Sequence, residues 1–245
     1  MSRKSLYDGL RVPHFTNTSA DKPNQQNGKT EEPIPQKKPA TTPKKNTNTA
    51  PRTPAPTKQE PLKPKYILTN DTITVDGHKL HRIQAIRDIP QIGVYSGDLG
   101  GYIESERNLE HRGSCWVFPD GLVYHNAIVR DGATVRDHAK AYDNAIIEGN
   151  AALYDKAEVF EKGYVGGGAK VYHEAIVHSR AKVFGEACIG DFAQISGMSQ
   201  VYGRARIMGS SIVVGDIKIH GDYETTGGNY ITGDVGKDTD SIDER

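Results

Sequence analysis

The sequence predicts an all-β protein, a parallel β-helix solenoid that follows a small N-terminal β cap and a disordered N-terminal arm. From Cys115 to Asp234 the chain divides into twenty consecutive six-residue units without an insertion or a deletion. The first residue of a unit is Ala, Gly, Ser or Cys in all but the last three units, and the third residue is aliphatic in nearly every unit. Two residues at this spacing share one face of a strand, whereas an α-helix needs an apolar period of about 3.6.

Each unit therefore reads as one short strand and its turn. A strand of this length cannot bury its apolar face alone, so neighbouring units must stack into a solenoid with a continuous core. Three units form one coil, and the repeats over residues 115–234 predict six to seven coils, which are roughly 30 Å tall at a strand spacing of ~4.8 Å. Gly, Asp and Asn are frequent at the fifth and sixth positions, where a corner requires positive φ.

The repeat resembles the hexapeptide pattern of left-handed parallel β-helix proteins. Units of the form AxVYGx follow the segments YILT at 66–69 and GDLGGYIES at 97–105. In this combination the chain is similar to a family of bacterial and prophage proteins described as transferases. The resemblance covers about residues 66–233, and it implies left-handed coils.

The N-terminal 64 residues differ in composition from the rest of the chain. They contain 12 Lys and Arg against 5 Asp and Glu, whereas residues 65–245 contain 19 against 26. Eleven of the thirteen prolines lie here, and no aromatic residue lies between Phe15 and Tyr66. Such a segment cannot bury enough apolar surface to offset its ordering entropy, so we predict a disordered basic arm. The arm would be a linker, a tether to a protein partner or a leader for secretion; its lysines lack interleaved aromatic residues, which argues against nucleic-acid binding.

Cysteine usage and hydropathy bear on the cellular compartment. Cys115 and Cys188 are too few for a metal cluster and do not form a CxxC pair. Free thiols suit a reducing bacterial cytoplasm, with secretion by a non-Sec route as the alternative. Because no apolar run reaches the length of a membrane span or a signal sequence, the sequence predicts no membrane partner.

Residues 65–114 predict a β-hairpin cap that covers the first coil, because an open solenoid end exposes strand edges and apolar core. The Gly100 and Gly101 pair lacks the motif of a phosphate loop and favours a structural role. At the other end of the solenoid, the first position of a unit is no longer a small residue from Ile217 onward. The last units therefore predict a C-terminal cap, which is followed by an acidic flexible tail over 235–245. The hairpin is predicted from strands at 66–68 and 73–75, a turn at Asp76-Gly77 and a return strand over 79–86.

Aromatic residues recur at the fourth position of a unit, which we expect to face outward. Residues eighteen apart should stack in columns, since three units complete one coil. Exposed aromatic columns would bind sugars or partner chains, or would serve packing and oligomerisation. The predicted columns are Tyr124, Tyr142 and Phe160; Tyr154 and Tyr172; and Phe184 and Tyr202.

The fifth position gives a charged column at one corner. Like charges about 4.8 Å apart repel one another. We therefore expect nearby cations such as Lys156 and Lys170, together with solvent, to screen them, and no metal ion is required. The members of this column are Asp137, Asp155, His173 and Asp191.

His173 and His178 occur in the frame HxAxVH. This frame is similar to that of γ-class carbonic anhydrases, which are left-handed β-helix trimers, and the resemblance implies two of three zinc-binding histidines at a subunit seam. In that family the remaining histidine would lie one coil earlier, where this chain has Phe160. The missing ligand argues against zinc chemistry, so the sequence predicts no metal site.

Hexapeptide acyltransferases are the second enzymatic resemblance, and it implies a histidine general base with acyl-CoA bound between subunits. The candidate bases are His125, His138, His173 and His178. The repeats contain no extruded loop that would exclude water from a reaction. We therefore predict a non-catalytic, homotrimeric binding or assembly module that needs no cofactor. The alternatives are an acetyl-CoA-dependent acyltransferase and a secreted effector whose arm is the leader.

Overall fold

A computed structural model describes residues 63–237, which form a β-hairpin followed by a parallel β-solenoid. The predicted fold class is thereby confirmed. The arm, except for Lys63 and Pro64, and residues 238–245 of the tail lie outside the described part of the chain.

The strands of the described part are short after the cap, and two 3₁₀ helices lie at Pro90–Ile92 and Glu106–Asn108. The strands are β1 (Tyr66–Val75), β2 (His78–Ala85), β3 (Leu99–Ile103), β4 (Trp116–Val117), β5 (Leu122–Val123), β6 (Ile128–Val129), β7 (Thr134–Val135), β8 (Lys140–Ala141), β9 (Ile146–Ile147), β10 (Ala152–Leu153), β11 (Glu158–Val159), β12 (Tyr164–Val165), β13 (Lys170–Val171), β14 (Ile176–Val177), β15 (Lys182–Val183), β16 (Cys188–Ile189), β17 (Gln194–Ile195), β18 (Gln200–Val201), β19 (Arg206–Ile207), β20 (Ile212–Val213), β21 (Lys218–Gly221), β22 (Glu224–Thr225), β23 (Tyr230–Ile231) and β24 (Val235–Lys237).

The cap begins with the predicted hairpin. Strands β1 and β2 are antiparallel, with an irregularity in the pairing between Leu68 and Thr72. The turn between them uses positive φ at both central residues, 51° at Asp76 and 86° at Gly77. This is the geometry that an Asp-Gly turn favours, and it places His78 at the start of the return strand.

Three sheets form the sides of the solenoid, and their strands pair in parallel except for the antiparallel β1, β2 and β3 of the cap. One is ten-stranded, in the order β1-β2-β3-β5-β8-β11-β14-β17-β20-β23, and the other two are seven-stranded. Equivalent residues of successive coils pair in register, so that Leu153 lies between Val135 and Val171. The solenoid has about eight turns, more than the six to seven predicted, because β3 and β24 extend the stack at its two ends.

The core consists of the small and aliphatic positions of the repeat. Ala151 and Leu153 of one unit, and Ala187 and Ile189 of another, are each 0% exposed. This confirms the inward face predicted from the six-residue period. The glycine pair of the cap has a packing role: Gly101 lies within β3, and a Cβ on it would lie 2.4 Å from Gly121 O. Only glycine permits this approach of two backbones.

Lys65 anchors the start of the cap to the first coil. Its Nζ donates to Cys115 O at 2.7 Å and to Arg112 O at 3.2 Å, and it lies 3.1 Å from Cys115 Sγ. Burial lowers the pKa of Lys65, although the contact with Cys115 opposes this shift. Both Cys115 and Cys188 are free thiols. Within residues 63–237, no helix is long and apolar enough to cross a membrane.

Candidate binding site

An open groove runs along the corner that follows β5, β8, β11, β14 and β17. It consists of two segments that share Asp143 and Asn144. The segment near the cap is also lined by His78, Glu104, Ser105, Arg107, His125 and Asn126. The farther segment is also lined by Glu161, Lys162, Ser179, Arg180, Gly197 and Met198.

The cap end of this groove contains a chain of four side chains, which we call the histidine clasp: Glu104, His78, His125 and Asp143. His78 Nδ1 lies 3.1 Å from Glu104 Oε1, and His125 Nδ1 lies 2.9 Å from Asp143 Oδ1. The two Nε2 atoms face each other at 2.9 Å. The clasp therefore joins the first residue of β2 to a corner of the solenoid.

Hydrogen bonds and burial set the charge of Glu104 in the clasp and of Tyr124 beneath it. Burial acts to raise the pKa of Glu104, but hydrogen bonds from His78 and from the His125 backbone N–H outweigh it and hold the pKa below its ordinary value. Beneath the imidazoles lies Tyr124, whose hydroxyl donates to Asp76 Oδ2 at 2.9 Å. Burial raises the pKa of Tyr124, so this phenol is a neutral donor.

His173 forms a second imidazole–carboxylate pair at a different corner. Its Nδ1 lies 2.9 Å from Asp191 Oδ1, and its Nε2 lies 3.9 Å from Asp155 Oδ2. The pair lines a groove together with Asp155, Lys156, Glu174 and Phe192. A base oriented by a carboxylate is thus present on an open surface.

Lys156, which we expect to help to screen the charged column, forms its ion pair elsewhere. Lys156 pairs instead with Glu174 at 3.1 Å. The carboxylates accept backbone N–H groups of the following coil: Asp155 accepts from His173 at 3.0 Å, and Asp191 accepts from Gly209 at 2.9 Å. The carboxylates of this corner thus have backbone N–H groups of the following coil as partners.

The remaining candidate bases have different surroundings. His178 follows β14 in the ten-stranded sheet, whereas His173 follows β13 in a seven-stranded sheet, so the frame HxAxVH places the two imidazoles on different sides. His178 stacks on Phe160, with ring centroids 5.1 Å apart, and burial lowers its pKa. His138 is exposed at the corner after β7.

The predicted aromatic columns are present. Tyr124 stacks on Tyr142 and Tyr142 on Phe160, with centroids 5.1 and 5.0 Å apart and nearly parallel rings. Tyr154 and Tyr172 stack in the same way at 5.1 Å. The expectation that the columns are exposed is wrong for Tyr124, which is 1% exposed because the cap covers it. Rings within a stack cover one another's faces, so a sugar would reach mainly their edges.

Sequence reasoning missed three members of the clasp: His78, Glu104 and Asp143. The only local signal was the Asp76-Gly77 turn, which places the next side chain at the end of the hairpin. Nothing in the spacing indicates that this end meets the corner at His125, because the cap has no repeat from which a register could be counted.

Within residues 63–237, no group of three or more His, Cys, Asp or Glu side chains is arranged to hold a metal ion. No protein-family model matches the chain, and no curated protein is significantly similar to it.

Proposed function

We propose that this chain is a rigid, non-catalytic binding and assembly module of the hexapeptide-repeat, left-handed β-helix type, and that three copies assemble through their flat faces. The observation that carries the proposal is a row of uncharged side chains on the last four strands of the ten-stranded sheet. Earlier in the same row Lys140 is paired with Glu158, and the other two sheets carry cations beside the last coils. The row consists of Ile176, Gln194, Ile212 and Tyr230 on β14, β17, β20 and β23.

The connections between strands support a non-catalytic role. From β4 to β21, successive strands are separated by four residues each. No longer loop overhangs the grooves along these strands, so the grooves stay open to solvent. Efficient group transfer usually needs a site that excludes water, and this surface offers no such enclosure.

The uncharged row suits another copy of the same chain. Ile212 is 37% exposed and Tyr230 is 67% exposed, so the row presents apolar surface. The equivalent rows of the two other sheets carry Lys170 and Arg206 in one, and Lys182 and Lys218 in the other. A second copy presents the same strand spacing and the same absence of charge, so apolar residues can be buried against it without leaving an unpaired cation.

Sedimentation equilibrium of the full chain tests the assembly. We expect a trimer for the wild type and dissociation to the monomer for Ile212→Glu, because the variant places a carboxylate in a buried apolar contact. The matched control is Ile128→Glu: Ile128 is also 37% exposed but lies on β6, in another sheet. A monomeric wild type contradicts assembly, and dissociation of the control alone contradicts the choice of face.

One observation favours acetyl-CoA-dependent acyl transfer as the second candidate function. The pair of His173 and Asp191 has the geometry of an oriented general base, and its groove includes Phe192, which is 58% exposed and could contact an acyl-CoA.

Isothermal titration with acetyl-CoA separates the two candidate functions. Micromolar binding that persists in His138→Gln and is lost in Phe192→Ala supports the enzyme. Absence of heat with all three proteins supports the assembly module.

A further inference from the structure

The uncharged row is bordered on both sides by a corner of the solenoid, and each corner presents a large apolar side chain at the coil of β17. Phe192 precedes this strand and is 58% exposed, and Met198 follows it and is 50% exposed. Both side chains therefore contact solvent in the single chain. We call the two sides the entry corner and the exit corner. The entry corner consists of His173, Glu174, Asp191 and Phe192, and the exit corner of Ser179, Arg180, Gly197 and Met198.

The two corners carry opposite charges at the coil of β14. Glu174 on the entry corner has a side chain that is 51% exposed, and its Oε1 pairs with Lys156 Nζ at 3.1 Å. Arg180 on the exit corner is exposed, and within residues 63–237 it forms no ion pair. The entry corner thus presents an anion at this coil, and the exit corner presents a cation that needs a partner.

The symmetry of an assembly decides which of these groups meet. In a ring whose axis runs parallel to the solenoid, all copies stand at the same height, and the entry corner of one copy meets the exit corner of the next. Each coil then lies beside the same coil of its neighbour, which brings Glu174 to Arg180 and Phe192 to Met198. An antiparallel pair of copies would instead set the entry corner against itself, where Glu174 and Asp191 meet like charges.

We infer that copies of this chain associate side by side and in parallel, through a seam between the entry corner of one copy and the exit corner of the next. At this seam Glu174 pairs with Arg180 of the partner subunit, and Phe192 packs against Met198 of the partner subunit. A thioether beside an aromatic ring is a favourable contact. The inference rests on the proposed assembly through the uncharged row, and it adds the orientation of the copies and the contacts between them.

The coil of β11 is compatible with the same seam. Its entry side carries Asp155 and Lys156, and its exit side carries Glu161 and Lys162. Each side has one anion and one cation, so a contact between them adds no net repulsion. The seam can therefore extend over the coils of β11, β14 and β17, with its apolar contact at β17.

Cysteine cross-linking of the full chain tests the seam. In a Cys188→Ser background, the remaining native thiol is that of the buried Cys115. Phe192→Cys combined with Met198→Cys should then form a covalent trimer on oxidation, seen by electrophoresis without reductant. The two positions lie on either side of one strand, roughly 15–20 Å apart. A disulfide needs Cα atoms within about 7 Å, so the bond can form only between copies.

Phe192→Cys combined with Asn144→Cys is the matched control. Asn144 follows β8 on the same side of the row as Met198, but it lies three coils away, about 14 Å along the solenoid, so no cross-link is expected. A covalent dimer of Phe192→Cys alone means that the entry corner meets itself, and it overturns the parallel orientation. An absent cross-link in a chain that sediments as a trimer overturns the seam but not the assembly, whereas a monomeric wild type overturns both.

Exchange of the charges tests the ion pair separately. Glu174→Arg and Arg180→Glu should each raise the dissociation constant of the assembly at least about tenfold, because like charges then face each other. The double variant should regain most of this loss. Lys182→Glu, on β15 in another sheet, should stay within about twofold of the wild type. Circular dichroism shows whether each variant is folded. Weakened single variants without recovery in the folded double variant contradict the pairing of Glu174 with Arg180.

Discussion

Two corners of the solenoid adopt the same left-handed backbone conformation with different residues. In the glycine corner, φ lies between 66° and 71° at Gly149, Gly167, Gly185 and Gly203. In the aspartate corner, φ is 56° or 57° at Asp137, Asp155, His173 and Asp191. Glycine adopts this region at no steric cost, whereas other residues pay about 1–2 kcal/mol each.

The aspartate corner offsets this cost through its side chains. Asp155 accepts the backbone N–H of His173, and His173 in turn bonds to Asp191. A carboxylate at a corner thus satisfies a donor of the following coil, as Asp131 also does for Gly149 at the start of the glycine corner, whereas a glycine cannot. Two residue types can therefore form a turn of the same shape. Glycine adopts positive φ without strain, whereas aspartate offsets the strain with a hydrogen bond to the following coil.

The largest expected effect is the introduction of a Cβ into the glycine corner. A Cβ at Gly167 would lie 2.9 Å from both N and O of Gly185. Gly167→Ala should therefore lower the free energy of unfolding by about 2–3 kcal/mol, through backbone strain and crowding. Urea denaturation followed by circular dichroism measures the loss.

The next residue in the chain is the control. A Cβ at Gly168 would come no closer than 3.5 Å to Gly185 O, and its φ is not in the left-handed region. Gly168→Ala should change the stability by less than about 0.5 kcal/mol. Gly167→Asp should lose about 1 kcal/mol less than Gly167→Ala, because its carboxylate can accept the Gly185 N–H. Equal losses for Asp and Ala would contradict the role assigned to the carboxylates.

A smaller effect is expected from the reverse change in the aspartate corner. Asp155→Ala keeps a Cβ in the left-handed region and removes the acceptor of the His173 N–H, so it should cost about 1–2 kcal/mol. Asp155→Gly removes the acceptor but also relieves the backbone, and it should cost about 1 kcal/mol less than Asp155→Ala. The same denaturation experiment compares them. If Gly proves no better than Ala, strain at this corner has been overestimated.

The regular part of the fold was predictable because its register can be counted from the sequence. The six-residue period gives the inward face, and three units per coil give the columns, so the stack of Tyr142 on Phe160 follows from their spacing of eighteen. The charged column was found in the same way, but not its bonding. The sequence shows which residues of the corner are charged. It does not show that a backbone N–H of the following coil lies within hydrogen-bond distance of each carboxylate, because that distance depends on the folded corner.

The clasp could not be predicted, because it joins a repeated part of the chain to one that has no repeat. No period relates His78 to His125, and the contact depends on how the hairpin lies on the second coil. The burial of Tyr124 has the same origin, since its partner Asp76 belongs to the hairpin turn. Columns that begin beneath the cap are therefore less exposed than the repeat alone indicates.

The smallest expected effect distinguishes the two corners by their dependence on pH. Hydrogen bonds from the Gly209 N–H and from His173 lower the pKa of Asp191 below its ordinary value of 3.8. A carboxyl group whose pKa is lowered by folding stabilises the folded chain above pH 3.8 and loses this contribution as the pH falls through the lowered pKa, because the unfolded chain binds the proton first. The difference in melting temperature between the wild type and Asp191→Asn should thus shrink on acidification. The difference between the wild type and Gly167→Ala should stay constant over the same range, since that change involves no titrating group. A constant difference for Asp191→Asn would show that its carboxylate contributes nothing as a charged acceptor, and the two corners would then differ only in the strain of their backbones.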